Sequence, residues 1–546
     1  MSQFVENSAM PPTASGTGTP APAALGLWDA VSIIVGIVVG AGIYQTAPFI
    51  FKHVASPQLA LWTWGMAGAL SFIGALCYAE LATTYPRDGG DIVYLNRAFG
   101  RWCGFLFGWV QLTVILTGSI GMMAFVFANY AIRFAKDAAG VELGIFSAFA
   151  FAGGAILLLT LTNILGVLFG KIVQNVLTVA KIIGLSAIII AGFMAPMDGA
   201  WGESSLSLDD LRKLTFPGFE ASLGVALVLI LYTYGGWNDA AFVAAEVKDG
   251  KKNITMALVL GILLITILYL LVNYAYINAL GYRGAQSSSQ IAADVLNRGF
   301  GKGGVALMCV LVMVSALGAV NGLIFTGARV YAKIGQDYRV LSWMGGWSVG
   351  NGAPVPALLT QGVLALALVF LVGTKPGRDS INFLLEQTAT TTEEKKVKDA
   401  AGQDIVMKSK SGYFLKPMEW EDSWKAALDT GAGEKATDLA KGGFDTLLTC
   451  TAPIFWGFFL LTGVSLFVLR ERDTHLERPF KVPFYPTLPL IFCVTCGYML
   501  YSSIAYALVR DWKGGLVLLG VLPLLIGLPL YHLSQKLGDA KTTESI

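Results

Sequence analysis

About twelve apolar stretches of bilayer-spanning length follow one another along the chain. They lie near residues 27–50, 58–84, 103–134, 145–166, 172–195, 221–245, 254–280, 303–332, 354–373, 447–470, 486–509 and 514–533. A helix needs roughly 20 residues to cross the hydrocarbon core. The reading is an all-α membrane protein of about 12 transmembrane helices, numbered one to twelve here in that order. Composition agrees, with 55% hydrophobic and 14% charged residues against about 25% charged in a soluble chain. The net charge of +2 and the lack of a basic block give no footing for a nucleic-acid partner.

Basic residues set the expected orientation. Arg87, Arg97 and Arg101 follow helix two, and Lys248, Lys251 and Lys252 follow helix six. Arg329, Lys333 and Arg339 follow helix eight; Arg470, Arg472, Arg478 and Lys481 follow helix ten. By the positive-inside rule these loops and both termini are cytoplasmic, in a multi-pass protein of the plasma (inner) membrane. Arg133, Lys136, Arg212 and Lys213 on the opposite side make the bias moderate. Residues 1–24 read as a disordered cytoplasmic tail and 534–546 as a second tail. The polar stretch 374–443, between helix nine and helices ten to twelve (444–533), reads as an extracytoplasmic insert. Its segments SINFLLEQ and EDSWKAALD suggest a partly helical cap.

Two spans are interrupted. Helix six carries YTYGGWNDAAF at residues 232–242, with Gly235, Gly236, Trp237, Asn238 and Asp239 at mid-membrane depth. Helix one reads VSIIVGIVVGAGIYQTAPF, with Gly36, Gly40 and Gly42 followed by Pro48. Gly36 and Gly40 also form a small-xxx-small pair, which close helix packing would explain. That explanation leaves out Gly42 and the matching position of the break five helices later. Breaks at equivalent places in two halves point to an inverted 5+5 repeat with a binding site at the midplane. The second half of helix one would begin near Gly40–Ala41–Gly42 with unpaired N–H groups, attractive to a carboxylate. Unwound carbonyls would attract an ammonium group. A free amino acid carries both.

YGGWN (Tyr234–Asn238), GAGIY (Gly40–Tyr44) and GALCYAELATTYPRDGGDIVYL (Gly74–Leu95) resemble the amino acid–polyamine–organocation (APC) superfamily, in particular its L-type amino acid transporter branch. LGAVNGLIFTGAR (Leu317–Arg329) and ERPFKVPFYP (Glu477–Pro486) resemble it too. The resemblance covers about residues 25–373 and 444–510. It implies a leucine-transporter-like permease moving amino acids by alternating access. The substrate carboxylate would meet the backbone of Gly40, Ala41 and Gly42, and the ammonium the carbonyls of Val38, Tyr232 and Gly235. Tyr232 would gate the site, and Ile43, Thr233, Trp237 and Asn238 complete the expected substrate-binding set. Ala41 replaces the family's Ser, and Tyr232 stands where Phe is common. The stretch Arg133–Gly144 lacks the cysteine that links family members to an accessory glycoprotein, which argues against a disulfide-linked heavy chain.

Intramembrane charges are expensive and usually functional. Lys181, nine residues into its apolar run, is too deep to snorkel comfortably; family members with Lys at this point are sodium-independent. Its ammonium could stand in for a sodium ion beside helices one and eight, or lose and regain a proton during the cycle. Glu80 and Glu246 could pair with basic loop residues as gates or simply cap solvated helix ends. Asp239 could meet a cationic side chain or line the vestibule, and Asp29 also needs an account. Trp456 could wall the pocket or face lipid.

Other signals are weaker. GFGKGG (Gly299–Gly304) lacks the preceding strand of a nucleotide site. His53, His475 and His532 lie too far apart in sequence to suggest a metal site. The scattered cysteines, Cys493 and Cys496 included, read as core residues, and Asn253-Ile254-Thr255 falls in an expected cytoplasmic loop. No catalytic constellation or cofactor motif is present, so the chain does not read as an enzyme. The expected function is sodium-independent carriage of a neutral L-amino acid, by proton symport or exchange. A cationic substrate, or a non-transporting amino acid sensor, is the alternative.

Overall fold

The computed structural model describes residues 25–40, 42–54, 56–87, 89–144, 146–195, 223–288, 290–301, 303–348, 350, 352–374, 376–377, 392–398, 404–410, 436–510 and 515–543. All twelve apolar stretches fall on helices. Helix one is Leu27–Val38, then Gly42–Gln45 and Ala47–Lys52; helix two is Pro57–Thr84. Helix three runs Arg101–Ala139 with a π-helical turn at Gln111–Ile115. Helix four is Ser147–Ile164 and helix five Val167–Met194. Helix six comprises Leu223–Thr233 and a 3-10 segment, Trp237–Glu246. Helices seven to nine are Gly250–Ser287, Gly304–Asp337 and Val355–Gly373. Helices ten to twelve are Ala436–Arg472, Thr487–Arg510 and Gly515–Thr543. Among the described residues nine helices are long and apolar enough to cross a membrane unaided. Helices one and six are divided, and helix twelve carries Pro523 and Pro529.

One order of elements occurs twice. A broken helix is followed by a long one, a short amphipathic helix, and then three more spans. The short helices are Asp91–Phe99 before helix three and Ile291–Phe300 before helix eight. Each buries one face, Ile92, Tyr94 and Leu95 in the first and Ile291, Val295 and Leu296 in the second. The two halves are the expected 5+5 repeat, with helices eleven and twelve added.

Two glycines make the centre possible. A Cβ at Gly36 would fall 1.8 Å from Gln174 Nε2 and 2.7 Å from Thr178 Oγ1, so a larger residue there would displace these helix-five side chains. Close packing therefore does account for Gly36. Gly236 is different: its φ of +102° lies in the left-handed region, and a Cβ there would come within 2.6 Å of Ile37 Cγ2. The turn that divides helix six depends on it.

The boundaries differ from the sequence expectation in three places. Helix ten starts at Ala436, inside the stretch assigned to the insert, and helix twelve continues to Thr543 through the presumed tail. The insert contains an antiparallel hairpin, Thr392–Lys398 with Asp404–Lys410, which the sequence reading does not anticipate. The strands are only seven residues each, TEEKKVK and DIVMKSK. The segments SINFLLEQ and EDSWKAALD, like residues 1–24, lie outside the described residues.

Gly236→Ala should lower stability by about 1–3 kcal/mol, the cost of a strained left-handed residue. Ile37→Ala added to it should restore only part, since it relieves the clash and not the backbone. Thermal unfolding of the purified variants checks this; full restoration would mean that φ imposes no constraint.

Candidate functional site

Helix one ends where its own hydrogen bonds run out. Val39 N donates to Val35 O at 2.9 Å and Gly40 N turns back to Val38 O at 2.7 Å. The carbonyls of Gly36, Val38 and Val39 face other partners. Lys181 Nζ donates to Gly36 O and, at 2.9 Å, to Val39 O. Ser315 Oγ of helix eight donates to Val39 O at 2.8 Å. Tyr269 OH of helix seven lies 3.0 Å from Val38 O and 3.3 Å from Thr233 O, so one hydroxyl touches both broken helices. Lys181 is 1% exposed. Its ammonium sits against helix one and beside helix eight and does not snorkel.

Beyond the break the chain resumes at Gly42. A Cβ at Gly42 would meet Thr233 Cγ2 at 2.7 Å, and at Gly40 Met123 Sδ at 3.3 Å. Thr46 Oγ1 donates to Gly42 O at 2.8 Å and lies 3.5 Å from Thr233 Oγ1. Ile43 O accepts from Tyr276 OH at 3.3 Å. On helix six, Gly235 N donates to Tyr232 O at 3.0 Å across the turn. Tyr232 OH reaches Met122 Sδ of helix three at 3.5 Å. Val38, Gly40, Gly42, Ile43, Tyr232, Thr233 and Gly235 thus converge where the two breaks meet. Ala41 lies outside the described residues.

Two expected members point elsewhere. The Trp237 ring packs with Tyr78 at 5.2 Å, Phe459 at 5.5 Å and Phe492 at 6.5 Å, anchoring the second part of helix six to helices two, ten and eleven. Asn238 Nδ2 donates to the neighbouring Asp239 Oδ1 at 3.0 Å. Asp239 is buried, so it does not line an open vestibule in this conformation. Trp456 is buried too, packed on Phe459 at 5.7 Å, and does not face lipid.

The remaining charges lie toward the end with the basic loops. Arg329 Nε and Nη2 grip Glu246 Oε1 and Oε2 at 2.8 and 3.1 Å, both side chains buried. Glu80, 0% exposed, accepts from Arg470, from Arg478 at 3.2 Å and from the Val482 backbone at 2.7 Å. The solvated-end readings of both glutamates are therefore replaced by buried pairs. Asp29 accepts from Lys171 at 3.1 Å and Asn175 at 2.7 Å, tying the start of helix one to helix five. Leu25 and Val247 form a parallel bridge at the same end. Among the described residues no group of His, Cys, Asp and Glu could hold a metal ion.

Sequence reasoning passed over Tyr269, Ser315 and the pairing of Arg329. The first two are common residues in apolar runs, and Arg329 was counted only as a basic loop marker.

A membrane protein with two broken helices meeting around backbone polar groups at the core of a twofold repeat has the build of an alternating-access carrier. The sequence matches the model of the family described as amino acid permease over residues 25–526. It is 30% identical over 348 residues to the b(0,+)-type amino acid transporter 1 of Mus musculus, covering 63% of this chain and 69% of that protein. It is also 30% identical over 380 residues to the large neutral amino acids transporter small subunit 2 of Homo sapiens, covering 67% of each. The chain belongs to the amino acid permease family of the APC superfamily: it is a transporter of amino acids and not an enzyme.

Glu246→Ala would leave the Arg329 guanidinium buried and unpaired, and should cost about 3–5 kcal/mol. The thermal midpoint of the purified variant checks this; an unchanged midpoint would mean that water reaches Arg329.

Proposed function

We propose that this permease carries neutral L-amino acids without sodium, as a proton symporter or an exchanger. The observation that carries this reading is Lys181 Nζ on the carbonyls of Gly36 and Val39, with Ser315 Oγ on the latter. A carbonyl and hydroxyl cluster at the end of an unwound helix is a cation site by its chemistry, and here an ammonium already fills it. A fixed positive charge in that place leaves neither room nor electrostatic need for a sodium ion.

In this reading the amino acid carboxylate docks on the backbone of Gly40, Ala41 and Gly42, the Gly40 N–H giving up its bond to Val38 O, with Ile43 beside the ligand. Its ammonium shares the carbonyls of Val38, Tyr232 and Gly235: Tyr232 O keeps a lone pair beyond its bond from Gly235 N, and Val38 O, bonded by Gly40 N and Tyr269 OH, gains one when Gly40 N turns to the carboxylate. Thr233 shapes the floor, and Tyr232 closes over the ligand. Glu246 with Arg329 and Glu80 with Arg470 and Arg478 act as gates, both made in this conformation. A neutral substrate is favoured by the printed name of the human relative and by the partnering of Asp239 with Asn238, away from the helix-one turn. The basic loops favour cytoplasmic termini and an extracytoplasmic 374–443 insert, in this reading of a plasma-membrane protein. The absence of cysteine from Arg133–Gly144 speaks against a disulfide-linked heavy chain.

The test is uptake of a labelled amino acid panel into proteoliposomes, with and without sodium, for the native protein and Lys181→Met. Native uptake of neutral amino acids should be indifferent to sodium, and Lys181→Met should lose most of it. Sodium-dependent native uptake, or full uptake by Lys181→Met, would overturn the assignment.

A further inference from the structure

Most of the buried carboxylates are held by basic side chains: Glu80 by Arg470 and Arg478, Glu246 by Arg329, and Asp473 by Arg97. Asp91 and Asp239 are not. Asp91, 1% exposed, opens the short helix before helix three. Its Oδ1 accepts from Tyr78 OH of helix two and Thr462 Oγ1 of helix ten, each at 2.6 Å. Its Oδ2 is buried with no partner. Asp239, 5% exposed, receives only the amide of Asn238, whose own Oδ1 is buried and unpartnered.

The two acids belong to one junction. Gly89 N donates to Phe242 O at 3.4 Å, and a Cβ at Gly90 would strike Phe242 Cδ1 at 2.9 Å and the Ala241 carbonyl at 3.1 Å. The loop bearing Asp91 is thus pressed against the segment bearing Asp239. The titratable groups around them are Tyr78 on helix two, Tyr94 on the short helix itself and Tyr331 on helix eight, with Cys496 of helix eleven near Tyr78. Helix ten offers only the Thr462 hydroxyl. Among the described residues no Lys or Arg bonds to either acid.

We infer that Asp91 and Asp239 form a proton-binding pair, one carboxyl of the two carrying a proton in this conformation and releasing it when Trp237–Glu246 moves away from the Asp91 loop. Two like charges in one dry junction repel, and protonating one of them removes that repulsion. The proton comes from water of one compartment, forms an O–H bond on a carboxyl oxygen, and returns to water of the other. Burial pushes the Asp91 carboxyl up to about 6, so proton binding and release fall near neutral pH. The inference rests on the carrier reading above and selects proton symport within it; the site is separate from Lys181.

Infrared difference spectra of the native protein are taken between about pH 5 and about pH 8, a range bracketing the shifted value and above the ordinary carboxyl range. A protonated-carboxyl band should titrate in that range and be lost in Asp91→Asn. A native protein with no such band, or a band that survives both Asp91→Asn and Asp239→Asn, would overturn the pair. Uptake of labelled L-leucine and L-alanine with and without an imposed proton gradient supplies the second readout. The ratio of the two rates should exceed one in the native protein and fall to one in Asp91→Asn and Asp239→Asn. An unchanged ratio in both variants would overturn the pair alone. Native protein that takes up no amino acid, even when preloaded with unlabelled substrate, would instead overturn the carrier reading.

Discussion

A backbone carbonyl exposed to hydrocarbon without a partner costs several kcal/mol, and this requirement organises the centre of the molecule. Helix one stops at Val38 and leaves Gly36, Val38 and Val39 to be satisfied from outside. Lys181 from helix five, Tyr269 from helix seven and Ser315 from helix eight supply the donors. Helix six makes the complementary break through the left-handed Gly236, and Tyr269 links its Thr233 carbonyl to the helix-one turn. The breaks are thereby held open without being left bare. What remains available at their meeting point is backbone: N–H groups past the helix-one turn on one side and the Tyr232 and Gly235 carbonyls on the other. A zwitterion matches that set, and its side chain is left for the surrounding helices to select.

Charge is distributed around this centre in a way that fits a moving carrier. Each buried pair joins elements from different parts of the fold: Glu246 on helix six with Arg329 on helix eight, Glu80 on helix two with Arg470 at the end of helix ten. Buried ion pairs are weak evidence for stability, but they specify one arrangement against others. They lie together at one end, with Asp29–Lys171 and the Leu25–Val247 bridge. In the proposed cycle, opening that end would require these pairs to separate, which would make the closed arrangement discrete and not a continuum.

Much of this was legible in the sequence. Apolar length identifies the spans, and glycines with Trp, Asn and Asp at mid-span identify the breaks, because each runs against a strong energetic rule. Lys181 was legible for the same reason. Tyr269 and Ser315 were not, since a hydroxyl in an apolar helix is unremarkable until its facing carbonyl is known. Trp237 enters the expected substrate set through the resemblance of YGGWN, and its ring packs on Tyr78 and Phe459. Asp91 stood within a quoted motif without drawing notice; only the tertiary packing shows that it lacks a basic partner. The hairpin in the insert was not legible because its strands are seven residues each and neither shows a clear period-two alternation.

The central claim is that an amino acid binds where helices one and six break. Hydrogen–deuterium exchange of the purified protein, with and without a saturating neutral amino acid, addresses it directly. The account predicts that ligand slows exchange in peptides covering Val38–Thr46 and Thr233–Trp237 more than in any other region. Protection confined to other helices, with these two segments unchanged, would contradict it.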